Sequence, residues 1–542
     1  MLQRPFGPAL GAALLAASLA CAPAAAQQAP PRDLHAALGA GSEVETYLRT
    51  LQLVGAVPLH PWSVRSLSPR QARELAPAGA HPWSRVYRPA ERAARVAAVP
   101  AGVSAAYNSA FPYGMNDGPV WSGRGLTASA SAGVALRAGA LSVQVAPVAF
   151  WAENRAFELM PTGGDGRLAF ADPLTPDRID LPQRFGDGAY RRVDPGESFA
   201  RVDVGRVAAG FSTAAQQWGP AVHQPIVLGP NAGGFPHVFL GTAAPLDVYV
   251  GSLSGRIVWG ELSQSPWSVV EGHGSRRFVT AAVAAFTPRG IPGLEIGGVR
   301  LFQGAWPRGG LGVRDFAQLF QAFEKADLPE SDSGQGANYS PDNQLASVFV
   351  RWVLPSAGLE VYGEFGREDH SWDLLDFYLE PDHQSAYSLG VRKAWRAGGG
   401  VWLARGELLN SQPSHLLEAR KQPPFYQHNG TRQGHTHHGQ LLGAPFGHGG
   451  GGSVVGVDRY HPGGRLSLEW VRGRVAQDWE YDSAGVAAAR ATDVVHALSL
   501  DGLLLRRRVD VTWGASAVFN LNRHFARDEL NLNARLGMRF PL

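Results

Sequence analysis

The sequence predicts an all-β protein: a transmembrane, antiparallel outer-membrane β-barrel of about eighteen strands, with a small N-terminal periplasmic helical segment. Three observations carry this. The last thirteen residues, "LNLNARLGMRFPL" (530–542), place an apolar side chain at every second position, from Leu530 to Leu542. A two-residue period held this long is a strand with one face in an apolar medium and the other against something polar. The N-terminus has the form of an export signal. Beyond it no run of about 18 apolar residues marks a transmembrane helix, and the other structure that satisfies every backbone hydrogen bond in lipid is a closed barrel.

Residues 1–26 read as a signal peptide. Arg4 gives the positive start, residues 9–20 an Ala/Leu-rich core, and Ala24–Ala26 a small-residue cleavage site before Gln27. The only cysteine, Cys21, lies within it. A lipoprotein site there is disfavoured by Ser18, where an aliphatic residue is normally wanted. Cleavage after Ala26 leaves a mature chain without cysteine, to be stabilised by its core or by a bilayer rather than by disulfides.

Residues 27–104 form the expected helical segment. "EVETYLRTLQLVGAV" puts Val44, Leu48, Leu51 and Val54 near one helical face. "SPRQAREL" opens a second helix, with Ser68 as N-cap and Pro69 at the first helical position.

Residues 105–542 are the expected barrel. About sixteen alternating segments start near 126, 141, 199, 225, 246, 275, 293, 344, 357, 385, 399, 453, 463, 490, 508 and 528. Counting back from a periplasmic C-terminus, turns near 505, 462, 397, 356, 290 and 243 fall inside. The longer connections 263–274, 304–343, 369–384, 413–452 and 478–489 fall outside. The stretch 154–198 breaks this pattern as a long periplasmic connection. Two further strands within it restore the pattern and bring the count to eighteen.

Composition narrows the function. A formal net charge of +3 over 542 residues does not suggest a nucleic-acid binder. No nucleophile elbow, HExxH, Walker loop or dinucleotide fingerprint occurs, which points away from an enzyme. "HNGTRQGHTHHGQ" collects His428, His435, His437 and His438, with His448 beyond. No carboxylate or cysteine stands at ligand spacing, so the histidines read as a loop rather than a metal site. Neither a metal nor another cofactor is expected.

Two stretches carry the chemistry of a sugar surface. "YNSAFPYGMNDGPVWSGRG" (107–125) mixes Tyr113 and Trp121 with Asn116, Asp117 and Arg124. "QQWGPAVHQPIVLGPNAGGFPHVFLG" (216–241) holds Gln217, Trp218 and Asn231 in a run dense enough in Gly and Pro to imply an irregular loop or an inward fold. Aromatic faces stack on the CH faces of sugars, and amides, carboxylates and guanidinium groups take the hydroxyls. The same aromatics also suit the interfacial girdle of a barrel. Arg432 and His437 complete the set of candidate glycan contacts, the arginines suiting acidic sugars.

In "PYGMNDGPVWSGRG", "QQWGP…LGPNAGGFPHVFL", "QGHTHHGQLLGAPFGHGG" and the N-terminal "PLHPWSVRSLS", taken in order, the chain resembles the Wzi-type capsule assembly proteins of the bacterial outer membrane. The third stretch departs from the family pattern at Gly443–Ala444. The resemblance implies an eighteen-stranded barrel with a periplasmic helical part. It also implies a non-enzymatic, lectin-like role in which capsular or extracellular polysaccharide is the partner and the outer-membrane lipid the surroundings. A porin for sugars or small solutes is the second reading, and an outer-membrane hydrolase the third.

Overall fold

The computed structural model describes residues 38–77, 79–84, 96–271, 275–320, 342–368, 374–414, 423–474 and 492–541, with the short strands Arg32–Asp33 and Tyr87–Arg88. The expected signal peptide, with Arg4, Cys21 and Ala26, lies outside the described residues.

Twenty-one strand segments pair into one closed antiparallel barrel. Three pairs of them are halves of an interrupted strand, which leaves eighteen. In chain order they are β1 (Val96–Asn108), β2 (Gly125–Ala138), β3 (Leu141–Val145 with Val148–Ala152) and β4 (Tyr190–Asp194 with Phe199–Val204). Next come β5 (Val207–Ser212), β6 (His237–Thr242 with Leu246–Asp247), β7 (Gly251–Ser263), β8 (Arg276–Pro288) and β9 (Leu294–Ala305). They are followed by β10 (Asn343–Leu354), β11 (Leu359–Glu368), β12 (Ser385–Ala397), β13 (Gly400–Asn410) and β14 (Gly451–His461). The last are β15 (Gly464–Arg474), β16 (Val494–Leu505), β17 (Asp510–Arg523) and β18 (Arg527–Phe540).

The C-terminal alternation closes the ring. β18 pairs with β1 from Asn533 opposite Asn108 to Phe540 opposite Ala101. Leu530, Leu532, Leu536 and Met538 stand exposed on the outside, while Asn531 and Asn533 are buried on the inside. Both asparagines donate to Asn108 Oδ1, at 3.0 and 2.9 Å, so the seam is sealed by an amide ladder in the lumen. The same outward apolar belt runs through Val455, Val457, Leu466, Leu468 and Leu498. Trp395 and Trp402, stacked at 6.3 Å, mark the belt's edge beside the turn at 398–399. This is the surface of a barrel in lipid.

Short connections (139–140, 205–206, 398–399, 462–463) gather at one end, the turn end. Longer ones gather at the other, the loop end. Three expectations need correction. No strand starts near 225: residues 213–236 fold into the lumen, and the wall there is β5 and the first half of β6, six residues each. The expected boundary at 104/105 falls inside β1, which starts at Val96. Its ladder shifts register between Val99 and Gly102, around Pro100, which lacks an amide hydrogen to donate. Adding β1 also moves 153–189 to the loop end, so no long connection remains at the turn end and the stretch 154–198 holds only part of one strand, β4.

The helical segment holds α1 (Glu43–Leu53) and α2 (Pro69–Glu74). Ser68 and Gln71 cap α2 reciprocally, at 3.2 and 2.9 Å. The segment sits within the turn-end mouth rather than beside the barrel. Leu48, Leu51, Trp62 and Trp83 pack with the wall residues Val401, Leu403, Tyr460 and Leu503. α1 is buried on its polar face too, since that face meets a polar lumen: Arg49 Nε lies 3.0 Å from Glu360 Oε1 of β11. Arg351 and Arg392, from β10 and β12, bind the same carboxylate at 2.8 Å each. Glu295 of β9 accepts the amides of Trp62 and Ser63 at 3.3 and 3.1 Å. At the loop end two short helices, α3 (Val313–Ala317) and α4 (Leu374–Leu379), stand on the rim.

Candidate functional site

Three loop-end connections turn inward and fill much of the lumen: 109–124, 213–236 and 423–450. Lumen-facing carboxylates and arginines of the wall hold them. Glu407 of β13 accepts three successive amides, those of Val222 (2.7 Å), His223 (2.9 Å) and Gln224 (2.5 Å). Arg277 of β8 donates to the carbonyls of Gly434 and Thr436, both at 2.6 Å. Backbone groups inside a lumen need such partners, because water there is limited. Space is equally tight. At Gly443 a Cβ would lie 2.2 Å from the Tyr426 hydroxyl and 2.5 Å from the Ile226 carbonyl oxygen.

The three loops meet at one polar junction. Asn116, held at φ 56°, donates its amide to Asn231 Oδ1 (3.1 Å) and its side-chain amide to the His223 carbonyl (3.0 Å). Asn231 Nδ2 donates to the Leu441 carbonyl at 3.1 Å. Gln440 Nε2 donates to the carbonyls of Gly118 and Asn231 at 3.3 Å each. Three stretches far apart in sequence thus become one structure.

Two cavities flank this junction. The smaller, about 180 Å³, is lined by Tyr113, Asn116, Asp117, Trp121, Asn231 and Gln440, among others. The larger, about 570 Å³, shares Tyr113, Asn116 and Asp117 and extends down the lumen to Glu43 and Thr46 of the N-terminal segment. Its far wall is an ion-pair chain. Arg405 binds Asp458 (2.8 Å) and Glu469 (2.6 Å), Arg465 binds Asp458 (3.1 Å) and Glu43 (2.7 Å), and Arg535 binds Asp501 (2.8 Å). Asp117 turns an open face to the cavity yet lies deep in the protein, and burial raises its carboxyl pKa. Arg535 and the Met115 amide pull the other way, and Asp501 adds to the rise. Burial likewise lowers the His223 imidazole, against the pull of Glu469.

The structure therefore brings Tyr113, Asn116, Asp117, Trp121 and Asn231 together and separates the other candidates from them. Gln217 and Trp218 are fully buried: Gln217 Nε2 serves the Ala221 and Val222 carbonyls, and the Trp218 backbone pairs with Val64. No sugar reaches them in this arrangement. His437 is also buried, its Nδ1 accepting the Ser263 amide at 3.1 Å. His435 Nε2 donates to the Val227 carbonyl at 2.6 Å. These imidazoles pin the 423–450 loop, and burial holds the His435 pKa down to about 4. Among the described residues no group of three His, Cys, Asp or Glu side chains is placed to hold a metal ion. Arg124 is occupied by the carbonyls of Ser109 and Ala156. Arg432 is exposed at the loop end beside Asp177, at 3.2 Å. Missed from sequence were Gln440 and the wall carboxylate Glu407. Gln440 closes the run "QGHTHHGQ"; nothing local to Glu407 marks its contact with residue 222.

The family model of the capsule assembly protein Wzi matches residues 109–494, which span all three inward loops. The chain belongs to the Wzi capsule assembly family. Among solved structures it is similar to Escherichia coli Wzi, described as an outer-membrane protein involved in group 1 capsule assembly and a carbohydrate-binding β-barrel. Identity is 15%, the match covers 94% of this chain and 99% of that one, and the TM-score is 0.60, a likeness of fold. A BenF-like porin from Pseudomonas fluorescens Pf-5 (10% identity, 82% and 98% covered) and OccK7 of Pseudomonas aeruginosa (11%, 82% and 99%) align at TM-scores of 0.40 and 0.39. Scores that low carry no functional weight. No curated protein matches the chain. As a Wzi-family member with a closed eighteen-strand wall and an apolar belt, the chain is an outer-membrane β-barrel.

Proposed function

We propose that this barrel holds exported capsular or extracellular polysaccharide at the cell surface, by binding and without catalysis. The observation that carries this is the junction of the three inward loops, where Trp121 and Tyr113 stand beside Asn116, Asp117, Asn231 and Gln440 around a pocket of about 180 Å³. That is the size and chemistry of a site for one sugar ring. The capsule-assembly family and the carbohydrate binding described for its E. coli relative support the reading. Weak single sites suffice when one polymer engages many barrels, since each further contact is made at high effective concentration. The short turns mark the periplasmic end and the long loops the cell surface, and export follows a cleaved signal peptide.

The porin reading is less favoured because the N-terminal segment and the inward loops occupy much of the lumen. The test is binding of the host's own purified polysaccharide to the full chain in detergent, with Trp121→Ala and Asp117→Asn compared with wild type. Weaker binding in both folded variants is the expected result. Unchanged binding in both removes the pocket from the account.

A further inference from the structure

The barrel's outer wall is not uniform. On one side, at the loop rim, two flaps lie against its lipid-facing surface. The first runs 306–320 and contains α3. Trp259 of β7 points outward and donates its indole N–H to the Phe316 carbonyl at 3.2 Å. Phe278 of β8 pairs across from Glu261, on the same outer face, yet is only 5% exposed because Trp306 and Phe316 cover it at 5.8 and 5.7 Å between ring centroids. Phe302 of β9, one strand on and on the same outer face, is 1% exposed, with the Arg300 guanidinium over its ring.

Beneath the flaps lies a row of wall residues opposite one another: Arg300 of β9, Ala346 of β10 and Arg367 of β11. They share the face of Ile296, Val348 and Val361, which are exposed in the apolar belt. Two arginines thus point toward lipid, and each is roofed. Arg300 donates to the Leu319 carbonyl at 3.0 Å and to Gln344 at 2.7 Å, and stacks on Phe302 at 4.7 Å. Arg367 lies 5.1 Å from the ring of Phe377 in α4, the second flap. A guanidinium in an apolar zone is stable only with such cover.

The roofs present apolar groups outward. Val313 is 85% and Phe320 83% exposed, with Phe316 between them, and α4 adds Leu375, Tyr378 and Leu379. Around the first flap, Arg276, Arg308 and Arg314 are exposed. Arg276 also pairs with Glu261 (2.7 Å) and stacks on Trp306 at 4.6 Å. Among the described residues the first flap sets Arg308 and Arg314 against one carboxylate, Asp315, which caps Gly312 at 2.7 Å, while the second is followed by Glu380 and Asp382, so the first is the more cationic.

We propose that the 306–320 flap is a docking surface for a phosphorylated glycolipid of the outer leaflet. Val313, Phe316 and Phe320 enter the acyl chains, and Arg308 and Arg314, with Arg276, meet the head-group phosphates. Two facts select a lipid over a protein. The surface is continuous with the lipid-facing belt below it, and its cations match an anionic head group at interface height. The proposal rests on the loop end facing outward and is independent of the sugar pocket.

The test uses the full-length chain in a neutral detergent. Its thermal midpoint, and the gel mobility shift of folded barrel against heated barrel, are followed on adding diphosphoryl lipid A, phosphatidylcholine or inorganic phosphate. Lipid A is expected to raise the midpoint by several degrees while the other two leave it in place. Arg308→Ala with Arg314→Ala is expected to keep the starting midpoint and lose most of the rise. Phe320→Ser, which leaves the arginines intact, is expected to weaken it. An equal rise with phosphatidylcholine or with phosphate, or a full rise in the arginine variant, overturns the proposal. So does concentration-dependent dimerisation through this face without lipid.

Discussion

Glu360→Gln isolates what fixes the N-terminal segment in the barrel mouth. The carboxylate is fully buried and shared by Arg49, Arg351 and Arg392, whose side chains are 2% exposed. The amide keeps the shape and removes the charge, leaving three guanidinium groups around a neutral centre. Breaking a buried ion pair from one side costs about 3–5 kcal/mol. The cost here is not three times that, because each arginine retains another partner: Arg351 keeps Glu295 at 3.1 Å, Arg392 keeps Thr50 Oγ1 at 3.1 Å, and Arg49 keeps the Pro220 carbonyl at 2.7 Å. The expectation is about 3–5 kcal/mol in total, roughly a hundredfold or more in the unfolding equilibrium. Arg49→Met removes only the arm from α1 and leaves the carboxylate with two cations, so it costs about 1–3 kcal/mol. Denaturant unfolding in micelles gives both numbers, and hydrogen exchange over 43–53 locates the effect. A loss under about 1 kcal/mol for Glu360→Gln, or exchange unchanged in α1, refutes the idea that this charge cluster anchors the segment.

Other outcomes follow from the lumen loops. His435 has its pKa depressed to about 4 against an ordinary 6.5, so its neutral form is favoured in the folded state; this stabilisation is complete above pH 6.5 and is lost as pH falls toward 4. The protection factors of amides in 423–450, corrected for the intrinsic slowing of exchange at lower pH, are therefore expected to fall over that window in wild type and to stay level in His435→Gln. Asp117 has a raised pKa, so its charge costs stability as pH rises from about 3.8 through the folded value. Asp117→Asn is expected to unfold at a midpoint at least as high as wild type at pH 7 while binding glycan more weakly. Gly443→Ala forces a methyl onto Tyr426 and Ile226 and is expected to cost about 1–3 kcal/mol in the same unfolding assay. Trp121→Ala removes a ring face worth about 1 kcal/mol, so binding of a short oligosaccharide is expected to weaken about fivefold in calorimetry.

The membrane strands were legible where the two faces differ in chemistry. β18 alternates leucine with asparagine, and its period survives to the last residues. β1 is hidden because "VAAVPAGVSAAYN" carries small residues on both faces and is bulged at Pro100. β5 and the first half of β6 are six residues each, too short for alternation to emerge from the Gly-rich run around them. The glycines and prolines of 213–236, which break a ladder wherever they fall, marked an irregular loop or an inward fold but did not exclude the strand expected near 225. The placement of α1 was not, because an amphipathic helix reads the same in solvent and in a polar lumen; wall partners far away in sequence, Glu360 for Arg49, Arg392 for Thr50 and Arg465 for Glu43, distinguish the two. Around the site, the aromatic and amide character of 107–125 pointed to residues that do line a pocket. Trp218 has the same chemistry and is buried, since side-chain type does not report which face of a loop meets the wall.

Polysaccharide partitioning tests the central claim most directly. Cell-bound and released polymer are measured separately in the native host carrying the wild-type gene, a clean deletion, or the Trp121→Ala and Asp117→Asn double variant. Normal total polymer shifted into the medium, in both the deletion and the folded double variant, is the predicted result. An unchanged ratio in the deletion contradicts attachment as this barrel's role.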